Sequence, residues 1–145
     1  VSEPRPTILV CDDDPAIRSI VATKLRGAGM EVFEARNGLE GLCYVDHGAL
    51  PPGQAPRHAV PIVPRVVVTD LQMPQMSGLE LAQKLRDCVP TRDVPVLMLT
   101  ARGYILDRTQ MDKTNIRQLM AKPFGASQLL EQVRVLMESP LRAAA

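Results

Sequence analysis

Apolar runs in this chain end in residues that can do chemistry. Thr7-Ile8-Leu9-Val10-Cys11 runs into Asp12-Asp13-Asp14, and Arg65-Val66-Val67-Val68-Thr69 runs into Asp70. Val94-Pro95-Val96-Leu97-Met98-Leu99 ends at Thr100, and the stretch Arg117–Ala121 ends at Lys122. If these runs lie side by side as strands, their ends gather several carboxylates, a hydroxyl and an ammonium. Crowded carboxylates raise one another's pKa, so the cluster is costly unless a cation joins it. Lys122 supplies one positive charge. A hard divalent ion is the natural second, and an all-oxygen site with few protein ligands suits Mg²⁺, which keeps several waters.

Each of these residues also has an ordinary reading. Asp14 before Pro15 is first of all a helix N-cap with proline at the first helical position. Asp70 fits a turn acid, Thr100 a strand-end cap, and Lys122 a solvated lysine before Pro123. One helix needs one N-cap, however, so Asp12 and Asp13 stay unexplained. The ordinary readings would also have to hold together at every one of these strand ends.

The elements that would position the cluster alternate along the chain. After Asp14 a helical pattern carries Ile17, Ile20, Val21 and Leu25, and Gly27 and Gly29 end it. Glu31–Ala35 reads as a second strand, and Asn37-Gly38 turns it into a helix of about ten residues carrying Leu39, Leu42, Cys43 and Val45. Residues 48–64 hold Pro51, Pro52, Pro56, Pro61 and Pro64 and read as an extended surface loop, since proline lacks the N–H donor. A helix from about Ser77 carries Leu81, Leu85, Cys88 and Val89 and stops at Pro90. The last helix shows Leu129, Leu130, Val133, Leu136 and Met137 on one face. Runs this apolar imply a parallel α/β sheet covered by helices on both sides, with its site at the carboxyl ends of the strands.

Composition narrows the function. The 145 residues suffice for one domain, expected over 7–138 with tails at 1–6 and 139–145. Lys plus Arg is 17 against 16 Asp plus Glu, which gives no footprint for direct nucleic-acid or membrane binding. Two Phe, two Tyr and no Trp leave no stacking platform. Cys11, Cys43 and Cys88 are too widely spaced for a zinc set, and their odd number argues against a disulfide framework. A reducing cytoplasm is therefore the expected compartment. Val1–Pro6 lacks the basic and apolar regions of a signal peptide, and no apolar run is long enough for a membrane span.

The motifs, taken in order, resemble the receiver domain of two-component response regulators. They are Ile8-Leu9-Val10-Cys11-Asp12-Asp13-Asp14, the D-x-x-M-P-x-M-x-G stretch from Asp70 to Gly78, Val96-Leu97-Met98-Leu99-Thr100-Ala101, and Ala121-Lys122-Pro123-Phe124. The resemblance implies a flavodoxin-like, doubly wound sheet of five parallel strands in order 2-1-3-4-5. It implies that Asp70 accepts a phosphoryl group from a phosphohistidine on a sensor histidine kinase or phosphotransfer protein. It further implies Mg²⁺ on Asp13, Asp70 and the backbone carbonyl of Gln72, with Asp12 acting partly through water. Lys122, and Thr100 with the Ala101 N–H, would take the other phosphoryl oxygens. Such a protein is not a conventional enzyme; it catalyses only its own phosphorylation and dephosphorylation. The face of the fourth helix, fifth strand and fifth helix would meet a downstream target or a second copy. The Lys122-Pro123 bond is expected to be cis, and Gly78 and Pro74 to shape the loop after Asp70.

This sequence departs from the family in several places. Leu119 stands where the family carries a switch aromatic, three residues before Lys122. Asp107 and Gln110 resemble a capping box, which predicts a short fourth helix over 108–114 with Asn115 as a left-handed stop. The 48–64 connection is longer than usual. It is expected to be a plain surface insertion, with Ala59–Pro64 as a docking strand on a neighbouring chain as the alternative. Gln72 and Arg102 flank the expected water entry and are assigned to tuning the phosphoryl lifetime. His47 and His58 are expected at the surface. Two other functions compete: an interaction module whose switch has decayed, and a haloacid-dehalogenase-like phosphohydrolase opening on Asp12-Asp13-Asp14. The second leaves Asp70 without a role and lacks a later acid pair.

Overall fold

The computed structural model describes residues 5–101 and 103–138. The five strands are β1 (Thr7–Cys11), β2 (Glu31–Ala35), β3 (Val66–Asp70), β4 (Val96–Thr100) and β5 (Ile116–Ala121). All pair in parallel, in the order β2-β1-β3-β4-β5, as expected from the sequence. Every residue of β3 and β4 is buried, which requires helices on both faces.

The period-two alternation of strand side chains sorts the core into two layers. Ile8, Val10, Val66, Val68, Leu97 and Leu99 pack against α1 (Pro15–Gly27) and α5 (Ala126–Glu138) through Val21, Leu25, Leu129 and Val133. Leu9, Cys11, Val67 and Met98 pack on the other face against α2 (Gly38–Val45) and α3 (Gly78–Asp87) through Leu42, Val45, Leu81 and Leu85.

Local side-chain chemistry sets four of the five α-helix starts. Asp14 caps α1 by accepting from the N–H groups of Ala16 at 2.9 Å and Ile17 at 3.4 Å. Asn37 caps α2, and Ser77 with Glu80 forms a full capping box on α3. Asp107 and Gln110 form a second box on α4 (Arg108–Asp112), so the late, short fourth helix is present and ends two residues before 114. Asn115 is not its left-handed stop, because the helix closes at Lys113 with right-handed backbone. The Asn115 side chain is buried instead, donating to the Thr91 and Arg92 carbonyls and accepting from Arg86. At α2 the structure gives eight residues rather than about ten, followed by a 3-10 turn over His47–Ala49.

The proline-rich insertion is anchored rather than free. Ile62 is 7% exposed, joins the α2–α3 side of the core, and donates its N–H to the Tyr44 carbonyl at 2.9 Å. Pro64 is buried and Arg57 meets Glu40 of α2 at 3.2 Å. The His58 ring stands edge-on to Phe33 with centroids 5.0 Å apart. Both histidines are half-buried at the surface, and the His47 Nε2 is enclosed. The docking-strand alternative is weakened at its centre, since Ile62 already belongs to this chain's own core. Ile62→Ala is expected to lower stability by about 2–4 kcal/mol, the cost of deleting buried methyl groups. Denaturant unfolding measures it, and a surface-like loss of a few tenths would contradict the anchoring.

Candidate functional site

The site lies at the carboxyl ends of β1, β3, β4 and β5. Register places Asp70 as the last residue of β3, paired with Leu99, and Thr100 as the last of β4, paired with Ala121. The third strand therefore runs one residue later than its apolar content alone suggests, and the carboxylate is held by the ladder instead of hanging from a turn.

Asp12 follows β1 directly and is fixed on every side. Its N–H continues the ladder to the Ala35 carbonyl at 3.0 Å, and Oδ1 accepts from the Asp14 N–H at 2.9 Å. Arg18 of α1 donates to its backbone carbonyl at 2.8 Å. Asp12 is fully buried, whereas its neighbour Asp13 is exposed. Asp70 is 9% exposed. One carboxylate oxygen from each of Asp12, Asp13 and Asp70 lies within 4.8 Å of the others.

Lys122 reaches this cluster from the far end of the chain. Its Nζ stands 3.2 Å from Asp70 Oδ1 and 3.4 Å from Asp12 Oδ2. The backbone is led there by the Lys122 N–H, which donates to the Thr100 carbonyl at 2.8 Å, and by a cis Lys122-Pro123 bond. Burial raises the Asp12 pKa above the usual carboxylate range, and the Asp70 charge adds to this against the opposing Asp14 N–H and Lys122. Burial alone would lower the Lys122 pKa. The facing Asp12 and Asp70 charges and their hydrogen bonds outweigh that and hold it above the ordinary lysine value.

The loop after Asp70 is tightly folded. Leu71 donates to the Leu99 carbonyl at 3.1 Å and Gly78 donates to the Leu71 carbonyl at 2.8 Å. A Cβ on Gly78 would stand 2.1 Å from the Asp70 carbonyl oxygen, so only glycine fits there. Gln75 takes a left-handed φ of 71°, and the Met76 carbonyl accepts from Gly38 at the start of α2 at 3.1 Å.

The other expected residues fall around this centre. Thr100 is buried, Ala101 and Gln72 are exposed, and Leu119 is half-buried against the α2–α3 side of the core. Arg102 lies outside the described residues. Sequence reading overlooked Arg18 and its partner Glu34, because their pairing joins a helix to a strand across the fold.

A family profile described as the response regulator receiver domain matches residues 8–134. The chain belongs to that family. Among curated relatives, this receiver domain is 36% identical over 132 residues to the DNA-binding dual master transcriptional regulator RpaA of Synechocystis, covering 91% of this chain and 49% of that protein. The phosphate regulon transcriptional regulatory protein PhoB of Pseudomonas aeruginosa is 30% identical, over 90% of this chain and 51% of its own length. The receiver chain thus spans about half the length of the curated relatives it matches. Among solved structures, the chemotaxis response regulator CheY4 of Vibrio cholerae superposes with a TM-score of 0.75 at 25% identity, covering 92% of this chain and 99% of that one.

Membership makes this a receiver domain of two-component signalling, a class that is not made of classical enzymes. The acidic cluster is consistent with its phosphorylation site. The phosphohydrolase alternative loses its footing with the family match. Among the described residues, no helix is long and apolar enough to cross a membrane.

Proposed function

We propose that Asp70 is the phosphoacceptor, taking a phosphoryl group from a phosphohistidine on a sensor histidine kinase or phosphotransfer protein. The observation that carries this reading is the Lys122 ammonium at 3.2 Å from Asp70 and 3.4 Å from Asp12. An Asp70 carboxylate oxygen forms the new bond to phosphorus while the phosphorus–nitrogen bond breaks, and the imidazole leaves with that electron pair. Most of the work is positioning and charge neutralisation. Lys122 offsets charge on one phosphoryl oxygen, and the Thr100 hydroxyl with the Ala101 N–H meets another.

The donor set fits a hard divalent cation. It is all oxygen, it is compact, and it opens on the Asp13 side, where water can complete the coordination. Asp13, Asp70 and the Gln72 backbone carbonyl would hold Mg²⁺, with Asp12 partly through water. When bound, the ion neutralises the crowded carboxylates and a phosphoryl oxygen.

Residues 7–138 act as this domain in the cytoplasm; the expected tails at 1–6 and 139–145 lie, apart from residues 5 and 6, outside the described residues. Its partners are the kinase and, through the α4–β5–α5 face, a downstream target or a second copy. With 17 basic against 16 acidic residues, the near-zero net charge gives no overall electrostatic drive toward nucleic acid.

Mass spectrometry after incubation with acetyl phosphate and Mg²⁺ tests the central assignment. One phosphoryl group is expected on the wild type and none on Asp70→Asn. Uptake that survives Asp70→Asn overturns it.

Leu119 in place of an aromatic lever supports a second reading, an interaction module with altered switching. Beryllofluoride titration followed by NMR separates the two: shifts that reach Leu119 and α4 mark a working switch, and shifts confined to the site mark its loss. Gln72 and Arg102 are assigned to shielding the aspartyl phosphate from water. Gln72→Ala and Arg102→Ala are therefore each expected to shorten its half-life in Mg²⁺ buffer, and unchanged half-lives contradict the assignment.

A further inference from the structure

We infer that Arg18 is a positioning residue for the acid pair, an inference that rests on the functional reading above. The Asp12 carbonyl and the Asp13 N–H belong to one planar peptide unit, so holding that carbonyl orients the peptide plane through which the chain enters Asp13. Arg18 fixes it, donating from NH1 at 2.8 Å. The same guanidinium donates from Nε to Glu34 Oε1 on β2 at 3.3 Å. Glu34 is held in turn by Arg26, whose NH1 meets Oε2 at 2.9 Å and whose NH2 caps the Val32 carbonyl at 2.9 Å. The chain of contacts runs from the outer strand to the peptide that carries both acids.

Arg18 is suited to this by its shape. Its side chain is only 16% exposed, and its rigid fork serves a carbonyl and a carboxylate at once. A lysine ammonium carries the same charge without a second donor in fixed geometry.

The sign of the effect on cation binding separates positioning from charge. Arg18 carries a positive charge beside a cation site, so by Coulomb's law alone its removal strengthens Mg²⁺ binding. If Arg18 sets the direction of Asp13, its removal weakens Mg²⁺ binding.

The experiment titrates Mg²⁺ alone into the full chain by NMR, for wild type, Arg18→Met and Arg18→Lys. Arg18→Met keeps the apolar stem and is expected to raise the Mg²⁺ Kd on the order of tenfold, as loss of a supporting hydrogen bond does in metal sites. Arg18→Lys keeps the charge and is expected to raise it by less. For both, the phosphorylation rate at saturating Mg²⁺ stays near wild type, so the defect appears in the Mg²⁺ dependence alone. Unchanged or tighter binding by Arg18→Met overturns the inference. If that variant does not fold, wild-type affinity in Arg18→Lys overturns it equally. A wild type that binds Mg²⁺ but takes no phosphoryl group onto Asp70 overturns the functional reading instead.

Discussion

Lys122→Ala is expected to slow phosphoryl uptake from acetyl phosphate at saturating Mg²⁺ by about two to three orders of magnitude, the usual cost of removing a preorganised charge-stabilising group. The ammonium lies 3.2 Å from Asp70 Oδ1 and is held by contacts that do not depend on any ligand: the Thr100 carbonyl on its backbone and Asp12 on its Nζ. On the proposed reading it is therefore in place before charge develops on the phosphoryl oxygens, and no reorganisation is needed when it does. Its pKa is raised above the ordinary 10.5. The ion pair's share of stability is thus fully present below that value and is lost only as pH rises through the higher folded-state pKa, so neutral pH leaves the charge intact. Mg²⁺ affinity moves the other way. With the ammonium gone, Asp12 and Asp70 lose their nearest counter-charge and attract a divalent ion more strongly. A slower reaction with tighter Mg²⁺ binding is a combination that general damage to the site does not produce. Rates followed by intact-protein mass spectrometry, beside an NMR Mg²⁺ titration, read both. A variant that reacts at the wild-type rate removes Lys122 from the chemistry.

That contrast with Arg18 shows where the sequence was readable. Asp12, Asp70, Thr100 and Lys122 each follow an apolar run, and parallel strands must end on one edge. Strand content and direction therefore suffice to gather them. The caps Asp14 and Asp107 were legible because each binds backbone within a few residues of itself. Arg18 and Glu34 were not, because their pairing depends on how α1 crosses β2, which no local pattern encodes. Ile62 was hidden for a related reason. A proline-rich stretch has neither the helical nor the strand period, so nothing near it marks one residue as buried, and its burial follows from the contact with α2. Asn115 looked like a helix stop by type, yet its amide is used for tertiary hydrogen bonds to the turn after α3. The one-residue shift of β3 has the same origin, since the ladder to Leu99, not apolar content, carries the strand through Asp70.

Gly78→Ala is expected to cost about 3 kcal/mol of stability, toward the upper end for overpacking at a close-packed position. The added Cβ would stand 2.1 Å from the Asp70 carbonyl oxygen, 3.1 Å from the carbonyl carbon and 3.0 Å from Met98 Sδ. Met98 is a flexible neighbour that can turn aside, but the Asp70 carbonyl cannot. It belongs to a strand end fixed by the Leu71–Leu99 and Gly78–Leu71 hydrogen bonds. Relief must come from moving the start of α3 or the end of β3, and either displaces Asp70, the proposed phosphoacceptor. Loss of stability and loss of phosphoryl uptake should therefore appear together, and Mg²⁺ should restore little of either. Gly27→Ala is the control. Nothing lies within 4 Å of a Cβ placed there, at the last residue of α1, so the same change is expected to be neutral or stabilising by up to about 1 kcal/mol. Denaturant midpoints and uptake rates for the two variants test whether close approach to Asp70, and not alanine in place of glycine as such, sets the cost. Equal stabilities for the two would remove the steric account of the loop after Asp70.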